Sequence, residues 1–544
     1  MTTATAERFD SAPGFVLGAD FAGTGRMLRL FLRRDRVVGP LWVLAFGLLP
    51  TFYVASTTGV YDTDAARADY AASIMDSPAL VAMYGPVFGT DIGSIGLWKA
   101  GPFYALIGIA TILTVIRHTR VEEETGRAEL LGATSVGRYA GLTAALALTA
   151  AGCALVAILA AAALAADGLP VAGSVAYGLT LGLSGLAWAG IAAVAAQVST
   201  GARVARGIAF GALGAAFAIR AVGDAGNGVL SWFSPLGWCI NMRPFADERW
   251  WVLLPLVALA VLAVAAAYLL LDRRDLGSGL IAERPGPSAA GPGLSGPLGL
   301  AWRLHRGSLL AWSIGFLLYG LLVGGAIDSV GDMLEDSQGL VDTVTRMGGS
   351  DVLQDSFLTF AASFLALAAA AYSISAVLRL HEEENSHRGE TVLAGAVSRG
   401  RYALAHVGTA LLGSALLLVV AGTAIGVVYG AMHGDLPGKL GDSLGAALVQ
   451  VPAVWVVTGV AVALYGLAPR FAPVAWGVLS AMLVVFFLGA LDGLPQWVLD
   501  TVPFVHPPKV PGAPMTWTPI LWLLAVAALL CVVGFAGFRC RDLR

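Results

Sequence analysis

The sequence predicts an all-α polytopic membrane protein made of two six-helix halves. Three observations carry that reading. The 544 residues are 57% hydrophobic and only 13% charged, with a mean hydropathy of +0.76, whereas a soluble domain has roughly 45–50% apolar residues. Apolar runs long enough to cross a hydrocarbon core of ~30 Å recur along the whole chain. One charged segment also occurs twice, each time directly after such a run. It reads RHTRVEEETGRAELLGATSVGRYA from Arg117 to Ala140, and RLHEEENSHRGETVLAGAVSRGRYA from Arg379 to Ala403.

Twelve spans are expected. Six lie near 38–57, 101–117, 138–166, 171–197, 203–221 and 250–272, and six near 308–327, 357–379, 401–430, 441–467, 471–491 and 518–538. Between the sets, residues 283–297 (ERPGPSAAGPGLSGP) have the Pro, Gly and Ser content of a linker. The division is therefore 1–282, a cytoplasmic linker at 283–297, and 298–544. Roughly the first 20 residues are polar without an apolar core, so no cleavable leader is expected. The cysteines Cys153, Cys239, Cys531 and Cys540 have no metal-ligand spacing, and only Cys239 falls in an expected outside loop, which argues against an external disulfide.

Orientation follows from basic residues, which favour the cytoplasmic side. Loops assigned to the inside hold 24 of the 33 lysines and arginines. Among them are Arg26, Arg29, Arg33, Arg34 and Arg36, Arg273 and Arg274, Arg303 and Arg306, and Arg539, Arg541 and Arg544. The outside loops are acidic: Asp62, Asp64, Asp69, Asp76 and Asp91 in the first half, and Asp328, Asp332, Glu335, Asp336, Asp342, Asp351 and Asp355 in the second. Both termini are expected in the cytoplasm of a multi-pass protein of the cell membrane.

The duplication reaches beyond the charged segments. Arg33, Arg36 and Trp42 match Arg303, Arg306 and Trp312, each set leading into the first span of its half. An even number of spans per half gives both repeats the same orientation, related by an axis along the membrane normal with a path between them.

Each charged segment leaves one span and enters the next on the inside, so it is expected as a short amphipathic helix at the cytosolic surface. Glu123 to Arg127 and Glu384 to Arg388 are (i, i+4) pairs. Solvated loops closed by such pairs would gain only about 0.5 kcal/mol, and nothing about solubility demands the same residues twice. The expectation is therefore a docking surface for a cytosolic partner with two equivalent sites. Its residues are Glu122, Glu123, Glu124, Arg127 and Glu129, then Glu382, Glu383, Glu384, Arg388 and Glu390. The second copy has one more residue between its glutamates and its arginine, so the two sites are expected to be unequal.

No Gly-x-x-x-x-Gly-Lys-Ser/Thr occurs, Gly438-Lys439-Leu440 lacking the first glycine and the hydroxyl, so any ATP hydrolysis by that route belongs to another polypeptide. No catalytic cluster lies within the spans, and the chain is expected to be no enzyme. His118, His387 and His406 are expected at surfaces or interfaces, and none is assigned to a metal. Arg220, with Asp224 one turn later, sits near the outer end of the fifth span, where an ionisable residue invites a functional reading but an (i, i+4) helix-end pair is the simpler one. Gln197 and Gln450 fit interhelical hydrogen bonding or cargo contact equally. An apolar cavity could be lined by Phe103, Tyr104, Phe210 and Phe217 with Arg220, and by Phe357, Phe360, Phe364, Phe486 and Phe487, although packing is the commoner role of such aromatics.

Six spans per half, an amphipathic arm before the first and a charged helix between the second and third resemble the ABC-2 exporter permeases. The segment Glu122–Leu131 is similar to the coupling-helix region of that class. The fused chain more closely resembles actinobacterial permeases of tetronasin-type or polyketide-antibiotic (multidrug) exporters, through Trp98–Gly101, Ile116–Arg120, Arg220–Gly226, Ser234–Trp238, Ile281–Pro285 and Arg346–Gly349. The resemblance covers essentially the whole chain. It implies efflux of hydrophobic or amphipathic small molecules, driven by two ABC ATPase subunits that bind ATP and Mg and dock at Glu122–Glu129 and Glu382–Glu390. It also implies interfacial helices at Arg26–Arg36 and Leu300–Arg306, and partly re-entrant outer loops at 222–249 and 492–517. Beyond the lipid bilayer, cargo and ATPases no nucleic-acid partner is expected. The competing reading is an ion-coupled secondary transporter of twelve spans, for which no convincing intramembrane acid is found.

Overall fold

The computed structural model describes residues 19–61, 63–275, 277–281, 288–294, 296–335, 353–490 and 495–541. The acids Asp336, Asp342 and Asp351, the Arg346–Gly349 segment and linker residues 283–287 and 295 lie outside the described residues, as do the side chains of Asp328, Asp332, Glu335 and Phe487. Among those described, the regular structure is helical and there is no strand.

Eleven described helices are long and apolar enough to cross a membrane. The helix at the expected eleventh span is Val474–Ala490, 17 residues, so among the described residues eleven longer helices and one shorter one stand where twelve spans were expected. The contacts form two compact units, Met1–Pro285 and Gly286–Arg544.

In the first unit the arm is a separate helix, Thr24–Arg34. Met27 and Phe31 share one face by their (i, i+4) spacing and are buried against Ala144 and Ala145 of the third span. The chain turns at Asp35 and enters the first span, Val38–Val60. The second unit differs from expectation: its arm and first span are one continuous helix, Pro297–Glu335.

In both units the second and fourth spans are innermost. Their most apolar windows are 61% and 72% buried in the first unit, against 17% for the first span and 22% for the sixth. Small residues let these helices approach closely, the main source of packing in lipid. A Cβ on Gly178 of the fourth span would collide with the Ala157 carbonyl of the third, and one on Gly466 would collide with the Gly534 carbonyl of the last span.

At the end of the first unit opposite the charged segment, the long loop folds into Asp64–Met75, Pro78–Tyr84 and Ile92–Trp98. The residue types dictate this. Thr63, Ser77 and Asp91 each cap the helix that follows by accepting from its first amides. Loop 222–249 buries a short helix, Pro235–Asn241, with Leu236, Cys239 and Met242 inside the unit. In the second unit Val502, Pro503 and Phe504 are similarly enclosed.

Candidate functional site

The charged segments do not form single helices. In the first unit the second span, Phe103–His118, breaks at Thr119 and is followed by Arg120–Glu124 and Arg127–Gly132. In the second unit the span runs unbroken from Leu353 to Asn385 and so contains all three glutamates, leaving Arg388–Leu393 as the separate helix. A left-handed residue precedes the short helix in each: Gly126 at φ 71° and His387 at φ 56°.

These two residues set the true register. Glu122, Glu123, Gly126, Arg127, Glu129 and Arg138 correspond to Glu383, Glu384, His387, Arg388, Glu390 and Arg399, each 261 positions later. In this frame no residue is inserted before the arginine; the glutamate triplets are offset by one. The Gly-Arg-Tyr-Ala tags are offset by two, and the counterpart of Arg138 is Arg399 rather than Arg401.

The geometry bears this out. Glu122 and Glu383 are each 6% exposed. Arg127 reaches Glu122 at 3.5 Å, and Arg388 donates to both oxygens of Glu383 at 3.0 and 3.2 Å. One position on, Arg274 donates to both oxygens of Glu123 at 2.6 and 2.8 Å. Arg541 does the same to Glu384 at 2.6 and 2.7 Å. Both arginines lie just past the last span of their unit, so each pair ties the segment after the second span to the end of the sixth. Such paired, parallel hydrogen bonds are the strong kind. Arg138 adds bonds to the carbonyls of Leu271 and Arg274 at 2.8 and 3.0 Å, and Arg399 one to that of Arg541 at 2.7 Å.

The units brace this clamp differently. Arg274 also donates to Gln197 at 2.8 Å, and Arg120 bonds Glu123 and the carbonyls of Ser199 and Ser278. In the second unit Tyr465 donates to Glu384 at 2.9 Å, and the Arg541 guanidinium lies over the Tyr465 and Phe538 rings at 4.9 and 5.2 Å.

The first unit also ties its separate arm into this frame. Arg34 pairs with Glu122 at 2.6 Å. Asp35 accepts from His118 at 2.7 Å and pairs with Arg117 at 2.7 Å, while Phe31 stacks on the His118 ring at 4.3 Å. Burial raises the Asp35 carboxyl, but the His118 hydrogen bond and the charges of His118, Arg117 and Arg34 outweigh it and hold it below the ordinary aspartate value. Tyr139 donates to Asp272 at 2.6 Å; that bond, then burial and the Asp272 charge, push its phenol up to about 12.

The ten expected docking residues thus divide. Glu122, Glu123, Glu383 and Glu384 are enclosed and bound within their own units. Glu124, Arg127, Glu129, Glu382, Arg388 and Glu390 are exposed. The first short helix buries none of its residues, and Leu130 at its centre is 76% exposed. The expectation for the histidines needs correction, because His118 and His406 are buried. His406 lies 3.0 Å from His305, and only His387 is on the surface, beside Glu390 at 2.9 Å.

Arg220 forms a clasp at the end of the fifth span away from the charged segment. It is 2% exposed, pairs with Asp224 at 3.3 Å, donates to the carbonyls of Ala82 and Met83 at 2.9 and 3.0 Å, and lies over the Phe217 ring at 4.5 Å. The aromatic set packs within its units. Phe103 touches Phe46 and Tyr53, each at 5.8 Å, and Tyr104 touches Tyr177 at 5.7 Å. Phe210 and Phe217 pack partly buried on the first core, and Phe357 and Phe360 on the second. Phe360 stacks on Phe486 at 6.3 Å, and Phe364 lies 6.1 Å from Tyr319. Gln197 bonds the Ala193 carbonyl as well as Arg274, and Gln450 donates to Ser363 at 2.9 Å; both join helices.

The fold and its repeated clamp define a multi-pass helical membrane protein whose two units hold their charged segments by one scheme. Residues 294–539 match the family described as multidrug efflux system permease Rv1217c, C-terminal domain. The chain is also 53% identical over 529 residues to the multidrug efflux system permease protein Rv1217c of Mycobacterium tuberculosis (strain ATCC 25618 / H37Rv), covering 97% of this chain and 96% of that one. The protein belongs to this family of efflux-system permeases.

Proposed function

We propose that the chain is the membrane-spanning permease of an ATP-driven exporter of the ABC-2 type, moving hydrophobic or amphipathic compounds of the antibiotic or multidrug class. Two ATPase subunits, which hold ATP and Mg, dock on the Arg127–Gly132 and Arg388–Leu393 helices. The clamp end and both termini face the cytoplasm. The name of the Mycobacterium tuberculosis relative supports efflux of multiple drugs.

The observation that carries the coupling role is a contrast. Each short helix presents exposed charged side chains, yet the helical end before it is bolted to the residues just past the last span of its unit through Glu123–Arg274 or Glu384–Arg541. A push on the exposed helix is therefore passed to a span instead of being absorbed by a loose loop. Only a difference in contact energy between nucleotide states of the motor can shift the permease. The exposed Leu130, flanked by Glu129 and Arg127, has the chemistry of an anchor that is buried on docking.

The test is co-purification of the permease with its ATPase, with ATPase stimulation as the readout. Leu130→Asp combined with Glu390→Arg should lower stimulation by at least ~10-fold, the effect of losing one anchor contact, with an unchanged unfolding temperature. Full stimulation by that variant would overturn the docking assignment.

A further inference from the structure

The second unit leaves open a place that the first unit fills. A recess of about 490 Å³ lies among His381, Glu384 and Asn385 at the end of the second span, Leu467 and Arg470 after the fourth, and Arg541 after the sixth. The residue 261 positions before His381 is Arg120, whose side chain is fully enclosed and donates to the carbonyls of Ser199 and Ser278. The residue before Asn385 by the same count is Glu124, whose carboxylate accepts from the Ala202 amide at 3.2 Å. Both side chains thus reach the connection between the fourth and fifth spans of the first unit. The shorter His381 and the uncharged Asn385 bond each other instead, at 3.1 Å.

The replacement also changes the charge of the place. In the first unit Arg120 and Arg274 are balanced by Glu123 and Glu124. In the second, Arg470 and Arg541 share the recess with Glu384 as its single carboxylate among the described residues. Arg541 is engaged, holding both oxygens of Glu384. Arg470 is not. It is exposed, its guanidinium lies over the Phe471 ring at 4.7 Å, and it makes no hydrogen bond or ion pair with a described residue. Asn385 is exposed as well, and its amide keeps a second N–H beyond the one given to His381. A ligand entering the recess therefore meets two accessible donors, one of them a cation that suits a planar or tetrahedral oxyanion.

The recess also lies where a bilayer changes from tails to headgroups. The second, fourth and sixth spans of the unit end at Asn385, Leu467 and Cys540. On either side of Arg470, Leu467 is 62% exposed and Phe471 47%. A free anion would use the arginine and leave this apolar surface bare, whereas a lipid uses both. Basic pockets between spans are suited to the headgroups of anionic lipids.

We propose that this recess holds the phosphate headgroup of an anionic phospholipid. The Arg470 guanidinium and the Asn385 amide donate to the phosphate oxygens, and the acyl chains lie along Leu467 and Phe471. None of these residues belongs to the helices assigned to ATPase docking, so the site does not depend on that assignment.

The test uses the full chain alone in a non-ionic detergent, titrated with dioleoylphosphatidylglycerol or dioleoylphosphatidylcholine. Native mass spectrometry counts the lipids bound per chain. The first phosphatidylglycerol should bind ~5-fold or more tightly than phosphatidylcholine, the scale of one arginine at a membrane surface. Arg470→Gln removes the cation, and Asn385→Glu restores the carboxylate of the first unit. Each should abolish most of that preference at an unchanged unfolding temperature. Arg203, exposed just past the fourth span of the first unit, supplies the control: Arg203→Gln removes the same charge elsewhere and should leave the preference intact. Equal binding of the two lipids, an undiminished preference in both Arg470→Gln and Asn385→Glu, or an equal loss in Arg203→Gln would each overturn the proposal. Displacement of the lipid by millimolar glycerol phosphate would assign the recess to a soluble phosphate ester and overturn the lipid as its occupant.

Discussion

Arg274 holds both carboxylate oxygens of Glu123 at 2.6 and 2.8 Å, and Arg541 repeats the arrangement on Glu384 at 2.6 and 2.7 Å. The side chains in the first pair are 2% and 10% exposed. Breaking such a buried pair costs ~3–5 kcal/mol when the partner is left uncompensated, and here Glu123 still keeps Arg120, which puts the loss at the lower end. Arg274→Ala should therefore lower the unfolding free energy of the solubilised permease by about 3 kcal/mol. Adding Glu123→Ala should recover part of that loss, as a double-mutant cycle followed by tryptophan fluorescence would show. Strictly additive losses would mean that the pair is not coupled.

Tyr465 donates to the Glu384 carboxylate already held by Arg541. Tyr465→Phe keeps the ring under the guanidinium and removes one charge-assisted bond, worth ~1.5–3 kcal/mol. Arg541→Ala removes two such bonds and two ring contacts, so its unfolding temperature should fall further than that of Tyr465→Phe. The reverse order would contradict the described clamp.

Two groups outside the spans give opposite pH limbs. The Asp35 carboxyl lies below its ordinary value, so it binds fewer protons folded than unfolded near that value. Its contribution is complete above the unfolded pKa of about 3.9 and is lost as pH falls through the folded one. Tyr139 is raised to about 12; its contribution is complete below the unfolded value of about 10 and is lost as pH rises through about 12. Asp35→Asn should flatten the acid limb of stability, and Tyr139→Phe the alkaline limb. Unfolding temperatures against pH for the two variants would show it, and unchanged limbs would refute the assignment.

The left-handed hinge before each short helix is glycine in one unit and histidine in the other. A side chain in that conformation costs roughly 1–2 kcal/mol. Gly126→Ala should loosen the Arg127–Gly132 helix, raising its amide exchange. His387→Gly should slow exchange in Arg388–Leu393, unless the exposed His387–Glu390 contact outweighs the backbone strain. Exchange mass spectrometry distinguishes the two outcomes.

Hydropathy made the spans legible, because a run of about 20 apolar residues has few uses other than crossing a bilayer. Val474–Ala490 is the exception, at 17 residues the shortest helix at an expected span. The charged segments were legible as a repeat but not in their register, since three glutamates and a Gly-Arg-Tyr-Ala tag are stronger visual marks than the αL hinge that fixes the frame. Arg274 and Arg541 were counted only as basic residues that orient the chain; their common position just past the last span was the available signal. The burial of His118 could not be read from sequence, because it depends on Phe31 and Asp35 of an arm that folds back from 83 positions away. Arg220 carried the signal of its (i, i+4) partner Asp224, and its structural reading follows from that spacing.

The central claim is that force enters the permease from a separate ATPase through the two short helices. The most direct measurement is cargo accumulation in inside-out vesicles containing the permease and its ATPase, with the ATPase active or inactivated and with or without an uncoupler. The account predicts transport that stops when the ATPase is inactivated and survives the uncoupler. Transport that persists without ATP hydrolysis and collapses with the uncoupler would contradict it and identify an ion-coupled transporter instead.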